Sequence, residues 1–258
     1  MKMAAPLPDP SRAEQLSALR AAVVHARLTR GPALPFGVDA IDDRLVDHGL
    51  SGAALHEIAG RSAELSDDAA AALFAAGIAA RFAAAPGLTV LWALTKFDLY
   101  APGIEQVGLG PRKLLYAQGR NDSDVLALAE DGLRDGSLAC VIAEVKVADQ
   151  TATRRLQLAA ADGSTPILLY RRHKSRDRSP LDQPSSAMTR WLVGSVASTP
   201  LPHAGIGRAC WSIELVRQRG GNPFSLDVEA CDDQGRLALP AAIADRATAS
   251  GGAASHAA

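Results

Sequence analysis

The chain has 258 residues, of which 48% are hydrophobic and 21% charged, and its net charge is −1. This length allows one well-buried core, and the near-neutral charge excludes a protein that binds nucleic acid through its overall charge, so any such contact must be local. The three cysteines, Cys140, Cys210 and Cys231, lack metal-ligand spacing, which favours packing roles in a reducing compartment. Without a signal-peptide pattern or a run of about 18 apolar residues, we expect a cytoplasmic protein with no membrane span.

Apolar runs alternate with helical patterns along most of the chain. A helix is predicted within residues 1–30 after a flexible lead, one core domain over 31–240, and a disordered Ala-, Gly- and Ser-rich tail over 241–258. The order of elements predicts an α/β fold with a mostly parallel central sheet covered on both faces, and antiparallel strands at the C-terminal end. Strands are predicted at 53–59, 88–94, 113–117, 138–145, 166–170 and 191–197, a hairpin at 210–231, and helices at 66–82, 122–135 and 151–161.

The stretch 56–82 has the layout of a phosphate-binding strand, loop and helix but lacks the residues that bind phosphate. A nucleotide P-loop needs glycines, a lysine that reaches the outer phosphates and a hydroxyl for magnesium. When the G-x-x-x-x-G-K-[ST] spacing is counted from Gly60, Leu65 stands at the second glycine, Ser66 at the lysine and Asp67 at the hydroxyl. The sequence therefore predicts a degenerate nucleotide loop.

The start of the following helix also disfavours phosphate. Ser66 is suited to cap it, and Asp67 and Asp68 would complement the positive end of the helix dipole. A phosphate bound there would face two carboxylates, and each like-charge contact at about 4 Å costs roughly 1 to 4 kcal/mol. Two interpretations stay open on this stretch alone: a former nucleotide loop that no longer holds a triphosphate, or a lone glycine before an Ala-rich helix.

Residues 34–230 resemble the core domain of RecA in the order of their pieces. The segment LPFGVDAIDDRLVDHGLSGAALHEIAG is similar to the RecA entry segment before the P-loop, and LACVIAEV places Glu144 at the magnesium-linked acidic position. TPILLYRRH resembles the strand that leads into the second DNA-binding loop. ELVRQRGGNPFSLDV resembles the strand–turn–strand whose two basic residues reach a neighbouring subunit's nucleotide, and Arg217 and Arg219 match those two.

A RecA-like chain with a lost P-loop lysine, a VRQRGG-type turn and an N-terminal helix resembles the ImuA family, inducible mutagenesis protein A. The resemblance implies a part in SOS-induced, error-prone translesion synthesis. It also implies as partners an ImuB-like inactive Y-family polymerase and an error-prone C-family polymerase, with RecA and single-stranded DNA as further candidates. No cofactor is expected.

Two departures from RecA bear on catalysis. The lysine is absent, and the region after LTVLWAL, where RecA has its water-activating glutamate, reads Thr95-Lys96-Phe97-Asp98, in which Asp98 has a poor offset. Phosphoryl transfer needs both the electrostatic clamp and the water-positioning base. We therefore predict a protein that is not an enzyme.

A basic loop follows the strand that ends near residue 170, at the position of the RecA DNA-binding loop. Closely spaced cations of this kind can neutralise DNA phosphates without reading sequence, although the alternative is a solvated charge run, since the loop has no aromatic residue to stack on bases. The candidate DNA-binding residues are Arg171, Arg172, Lys174, Arg176 and Arg178, with His173 between them.

Three further residues have two interpretations each. Arg217 and Arg219, at alternate strand positions with Leu215, would share one face and either contact a partner protein or discourage edge-to-edge aggregation. Glu144, at the end of a core strand, would pair with Lys146 or a loop group, or else mark a retained magnesium site.

These features leave three functional hypotheses. The first is a non-catalytic adaptor that joins DNA or RecA to a mutagenic polymerase complex. The second is a RecA-like ATPase with a rearranged nucleotide loop. The third is a cell-division inhibitor similar to SulA, a shorter protein that also lacks nucleotide chemistry.

Overall fold

The structure is a computed structural model, and it describes residues 32–199 and 205–240. The helix predicted within residues 1–30 and the tail predicted at 241–258 lie outside the described residues.

The described residues form ten strands and five α-helices in the predicted alternation. The strands are β1 (Ala33–Leu34), β2 (Leu50–Ser51), β3 (Leu55–Gly60), β4 (Val90–Leu94), β5 (Leu114–Gln118), β6 (Cys140–Val145), β7 (Ile167–Arg171), β8 (Thr189–Val196), β9 (Cys210–Gln218) and β10 (Phe224–Glu229). The helices are α1 (Asp39–Asp42), α2 (Leu65–Phe82), α3 (Ala101–Gln106), α4 (Asp122–Asp135) and α5 (Gln150–Asp162), with short 3-10 helices at Pro111–Lys113 and Pro180–Asp182.

Eight of the strands form one sheet in the order β10-β9-β8-β3-β7-β6-β4-β5. Neighbours from β8 to β5 are parallel, and β9 pairs antiparallel with both β8 and β10. The antiparallel strands predicted at the C-terminal end begin with β8, which pairs antiparallel with β9 on one side and parallel with β3 on the other. That strand runs parallel to β3, because residues 172–188 carry the chain back to the amino end of the sheet before β8 begins.

Helices cover both faces of the sheet, so the mixed α/β fold with a mostly parallel sheet is confirmed. On one face the Ala-rich α2 packs against the middle strands, and a large apolar cluster gathers around Phe36, Phe74 and Trp191. On the other face α4 and α5 enclose a second cluster of mostly aliphatic side chains. The central strands β3, β6 and β7 are buried along their whole length, as expected for parallel strands between two helical layers.

Side-chain caps set where the two helices of the second face begin. The Asn121 side chain accepts a hydrogen bond from the Asp124 amide at 3.0 Å, and Asp149 accepts one from the Ala152 amide at 2.7 Å. Gly136, with a φ of +71°, ends α4 in the left-handed conformation that glycine adopts without strain. Both helices therefore start beside the carboxyl ends of β5 and β6, the edge at which the predicted site residues gather.

Among the residues that the structure describes, no helix has the length and apolarity needed to cross a membrane.

Candidate functional site

The loop between β3 and α2 is closed on itself by the Asp67 carboxylate. That group accepts hydrogen bonds from the Ser62 amide at 3.1 Å, the Ser62 hydroxyl at 2.6 Å and the Ser195 amide of β8 at 2.8 Å. Gly60 packs so tightly against the same turn that a Cβ there would lie 3.1 Å from the Asp67 carbonyl carbon. The carboxylate thus lies where an anion would be bound, and it comes from the protein itself.

The prediction that Ser66 caps α2 was wrong. The helix begins at Leu65, with Glu64 at the cap position and no side-chain cap bond. Asp67, at the third helical position, instead accepts from Ser62, two residues before the cap, and the Ser62 hydroxyl in turn accepts from the Glu64 amide. Leu65, at the predicted second-glycine position, is 81% exposed.

Five backbone amides around the loop are already bonded within the protein. A P-loop binds phosphate through free amides of this kind, because they point at the ligand from the helix N-terminus. Here five of them donate to protein oxygens, so a triphosphate that used these amides would have to displace those bonds. The engaged amides are those of Arg61, Ser62, Glu64, Asp67 and Asp68.

Beside the loop, the Arg172 guanidinium is surrounded by three carboxylates. Its nitrogens lie 2.6 Å from Glu144, 2.8 Å from Asp98 and 3.3 Å from Asp68. These residues come from the ends of β6 and β7, the segment after β4 and the first turn of α2, and together we call them the Arg172 cluster. It lies at the carboxyl edge of the parallel strands, where α/β proteins of this type bind ligands.

Electrostatics in the Arg172 cluster oppose a bound phosphate. Burial raises the pKa of the Glu144 carboxyl, and the charge of Asp98 acts in the same direction, while Arg172 opposes both. Burial acts to lower the pKa of Arg172, but the neighbouring carboxylates of Glu144, Asp68 and Asp98 outweigh it and raise that pKa. Three carboxylates share one guanidinium, so the cation that could meet a phosphate is already committed.

Tyr170 ties the helix to the sheet at the same point. Its hydroxyl donates to the Asp68 carboxylate at 2.5 Å, and its ring lies under the Arg172 guanidinium, 5.6 Å from centroid to carbon. Burial raises the pKa of this phenol, so it stays protonated and keeps donating. Sequence reasoning had not assigned Tyr170 a role, because its partner Asp68 is remote in sequence.

The structure pairs Glu144 with a loop group, Arg172, and not with Lys146. Asp98, which could be compared with a water-activating base, is an ion-pair partner of the same arginine. Within residues 32–199 and 205–240, no group of three His, Cys, Asp or Glu side chains is arranged to hold a metal ion.

A second ion cluster lies within the sheet and was missed by sequence reasoning. Glu57, fully buried in β3, accepts from Arg171 at 2.7 Å and from Arg190 at 2.6 Å. The signal was present, because a carboxylate in a central strand must be paired to be tolerated. We call these three residues the Glu57 triad.

The predicted DNA-binding residues are split by these two clusters. Arg171 is 1% exposed and belongs to the Glu57 triad, and Arg172 belongs to the Arg172 cluster. The side chain of His173 also turns inward, with Nε2 2.8 Å from the Gly60 carbonyl oxygen. The exposed cations of the loop are Lys174, Arg176 and Arg178. Of the residues predicted to contact DNA, these three remain as candidates.

Arg217 and Arg219 do not share a face with Leu215 as the alternation predicted. Leu215 pairs with Trp191, whereas Arg217 pairs with Arg190, so the register shifts by one residue in a bulge. Leu215 lies in the core, and the two arginines donate to the carbonyls of the preceding loop, at 3.3 Å and 2.9 Å.

No model of a known protein family matches the sequence. Curated relatives do match. Protein ImuA of Caulobacter vibrioides, from strain NA1000 / CB15N and from strain ATCC 19089 / CIP 103742 / CB 15, is 33% identical over 200 residues, which cover 76% of this chain and 82% of the relative.

The chain belongs to the ImuA family.

Among solved structures, SulA from Pseudomonas aeruginosa matches this chain with a TM-score of 0.40 and 21% sequence identity. The match covers 46% of this ImuA-family chain and 98% of the SulA chain. The family resemblance stated from the ordered segments is thereby confirmed by the curated relatives.

Proposed function

We propose that this ImuA-family protein is a non-catalytic accessory factor of inducible, error-prone translesion DNA synthesis. It acts as an adaptor that joins DNA or RecA to a mutagenic polymerase complex made of an ImuB-like inactive Y-family polymerase and a C-family polymerase. The observation that carries the proposal is the Arg172 cluster, in which the protein's own charges take up the edge where a RecA-like domain would hold its nucleotide.

The loop and the Arg172 cluster lack the groups that phosphoryl transfer needs. ATP hydrolysis needs a cation, normally a lysine, on the outer phosphates. In the Arg172 cluster the arginine that could take this part is already paired with Asp68, Asp98 and Glu144. A nucleotide would therefore have to break three ion pairs and displace the Asp67 carboxylate from the loop. A scaffold with these groups occupied supports binding of other macromolecules better than phosphoryl transfer.

The adaptor role is tested with the full-length protein and its neighbours from the same genome. Affinity-tagged protein should retain the ImuB-like polymerase, and deletion of its gene should abolish damage-induced mutagenesis. No complex at micromolar concentrations of both proteins would contradict the proposal. Filamentation of cells on overexpression, with mutagenesis intact after deletion, would instead support the SulA-like alternative.

The partner surface can be narrowed with a matched pair of charge reversals. Arg217 is exposed on the last hairpin, and Arg154 is exposed on α5. If the hairpin contacts a partner, Arg217→Glu weakens the complex and Arg154→Glu does not. Equal effects from both variants would remove the hairpin from the proposed interface.

A further inference from the structure

A separate cavity lies at the carboxyl ends of β6 and β7, between these strands and the basic loop. Its volume is about 750 Å³, within the range of about 300 to 1,000 Å³ that is typical of small-ligand sites. Residues 178–180 and 182–184 line one side of it, and Lys146 and Arg171 line it from the strand ends.

The charge of the lining is strongly positive. Four cationic side chains contribute to it, and the carboxylate among the lining residues is that of the exposed Asp182. Cations collected in a concave site raise the local concentration of anions, because low-dielectric walls concentrate the field. The four are Lys146, Arg171, Lys174 and Arg178.

The buried side of the cavity also carries excess positive charge. In the Glu57 triad two guanidiniums share one carboxylate, and all three side chains are at most 8% exposed. Arg190 has a further acceptor in the Gln183 carbonyl at 2.9 Å, but Nε of Arg171 has no acceptor among the described residues. A buried cation without full compensation is costly, so an anion in the adjoining cavity would stabilise the arrangement.

We propose that this cavity binds a phosphate group, carried either by single-stranded nucleic acid or by a free nucleotide. Guanidinium and ammonium groups together suit phosphate, the first through paired donors and the second as a point charge. The inference rests on the proposed function for its biological meaning, since it gives the adaptor its contact with DNA. The site differs from the degenerate nucleotide loop, whose amides and arginine are engaged elsewhere.

The test uses a matched pair of substitutions on the basic loop of the full-length protein. Arg178 lines the cavity and Arg176 does not, yet both are exposed arginines two positions apart. Fluorescence anisotropy with a labelled oligothymidylate of about 20 nucleotides measures the affinity of each variant. Arg178→Glu should weaken binding roughly tenfold, and Arg176→Glu less than about threefold. Lys174→Glu should behave like Arg178→Glu.

Competition separates the two sources of phosphate. Displacement of the oligonucleotide by inorganic phosphate or AMP would show that the cavity accepts a free phosphate, whereas resistance to both would assign it to the nucleic-acid backbone. Absence of oligonucleotide and AMP binding, or equal losses in Arg176→Glu and Arg178→Glu, would overturn the proposal. Displacement by an oligoglutamate peptide as effective as by unlabelled oligonucleotide would also overturn it, in favour of an acidic peptide ligand.

The outcome is distinguishable from failure of the adaptor role. The Arg178→Glu protein should still retain the ImuB-like polymerase in the pull-down experiment. If the unsubstituted protein forms no such complex while Arg178→Glu and Arg176→Glu still differ in oligonucleotide affinity, the adaptor role fails and the phosphate site stands.

Discussion

Nε of Arg172 lies 2.6 Å from the carboxylate of Glu144, at the carboxyl edge of the parallel strands. The arginine follows β7 directly, and the glutamate is the penultimate residue of β6, so parallel pairing of the two strands brings them together. The carboxylate of Glu144, which the resemblance linked to magnesium, is therefore paired with a cation of the protein itself, Arg172.

Replacement of Arg172 by glutamine should destabilise the protein. The change leaves Glu144, Asp98 and Asp68 close together with no cation between them. Removing one partner of a buried ion pair costs roughly 3 to 5 kcal/mol, and the partial exposure of Arg172 reduces the expected loss in the free energy of unfolding to about 2 to 4 kcal/mol. Urea denaturation of Arg172→Gln measures it.

The control for that experiment is Arg176→Gln, an exposed arginine of the same loop. It should change the free energy of unfolding by less than about 0.5 kcal/mol. The double variant Arg172→Gln/Glu144→Gln should recover part of the loss, because one uncompensated carboxylate is then neutral. Equal stability of Arg172→Gln and Arg176→Gln would show that the cluster does not hold this edge together.

Asp67→Ala should open the loop between β3 and α2. The substitution removes the acceptor of the Ser62 and Ser195 amides, and hydrogen bonds to a charged group are each worth about 1.5 to 3 kcal/mol. Hydrogen exchange at these two amides should become faster, with a smaller effect on the strands behind them. Asp131→Ala, on the exposed side of α4, is the matched control, and the same exchange rates in both variants would contradict this role of Asp67.

Burial of His56 makes stability depend on pH. Its Nδ1 lies 2.7 Å from the Thr189 hydroxyl and its Nε2 3.0 Å from the Ser51 carbonyl, an arrangement that suits a neutral ring. Burial lowers the pKa of His56 from 6.5 to about 4. Between pH 6.5 and pH 4 the histidine is protonated in the unfolded state but neutral in the folded state. The contribution of the buried, neutral His56 to the free energy of unfolding is therefore complete above pH 6.5 and is lost as the pH falls towards 4.

The contribution of His56 is roughly 3 kcal/mol when the pKa difference is converted at 1.36 kcal/mol per unit. The free energy of unfolding, measured at several values between pH 4 and pH 7, should therefore fall more steeply on acidification in the unsubstituted protein than in His56→Gln. Parallel curves for the two proteins would contradict a neutral, buried histidine.

The sequence predicts the framework of the sheet well, because apolar runs and helical spacing are local signals. Helix α4 has the predicted bounds Asp122–Asp135, and β6 and β7 lie within one or two residues of their predicted ranges. The absence of a lysine at the P-loop spacing from Gly60 can also be read directly from the sequence.

The contacts that fill the site could not be predicted in the same way. Arg172 and Asp98 are 74 positions apart, and only the pairing of β4, β6 and β7 brings them to one edge. The bulge in β9 breaks the alternation on which the placement of Arg217 depended. Arg171 was interpreted as a surface cation because its partner, Glu57, lies in a strand more than a hundred residues earlier.

Binding of ATP to the isolated protein tests the central claim most directly. Calorimetric titration of the Arg178→Glu protein, in which the separate basic cavity is disabled, with ATP and Mg²⁺ should show no saturable binding at ATP concentrations up to about 1 mM. A dissociation constant of about 1 mM corresponds to a binding free energy of about −4 kcal/mol. Magnesium-dependent binding with a dissociation constant in the micromolar range would contradict the account, because the Arg172 cluster and the Asp67 carboxylate would then have given way to a nucleotide.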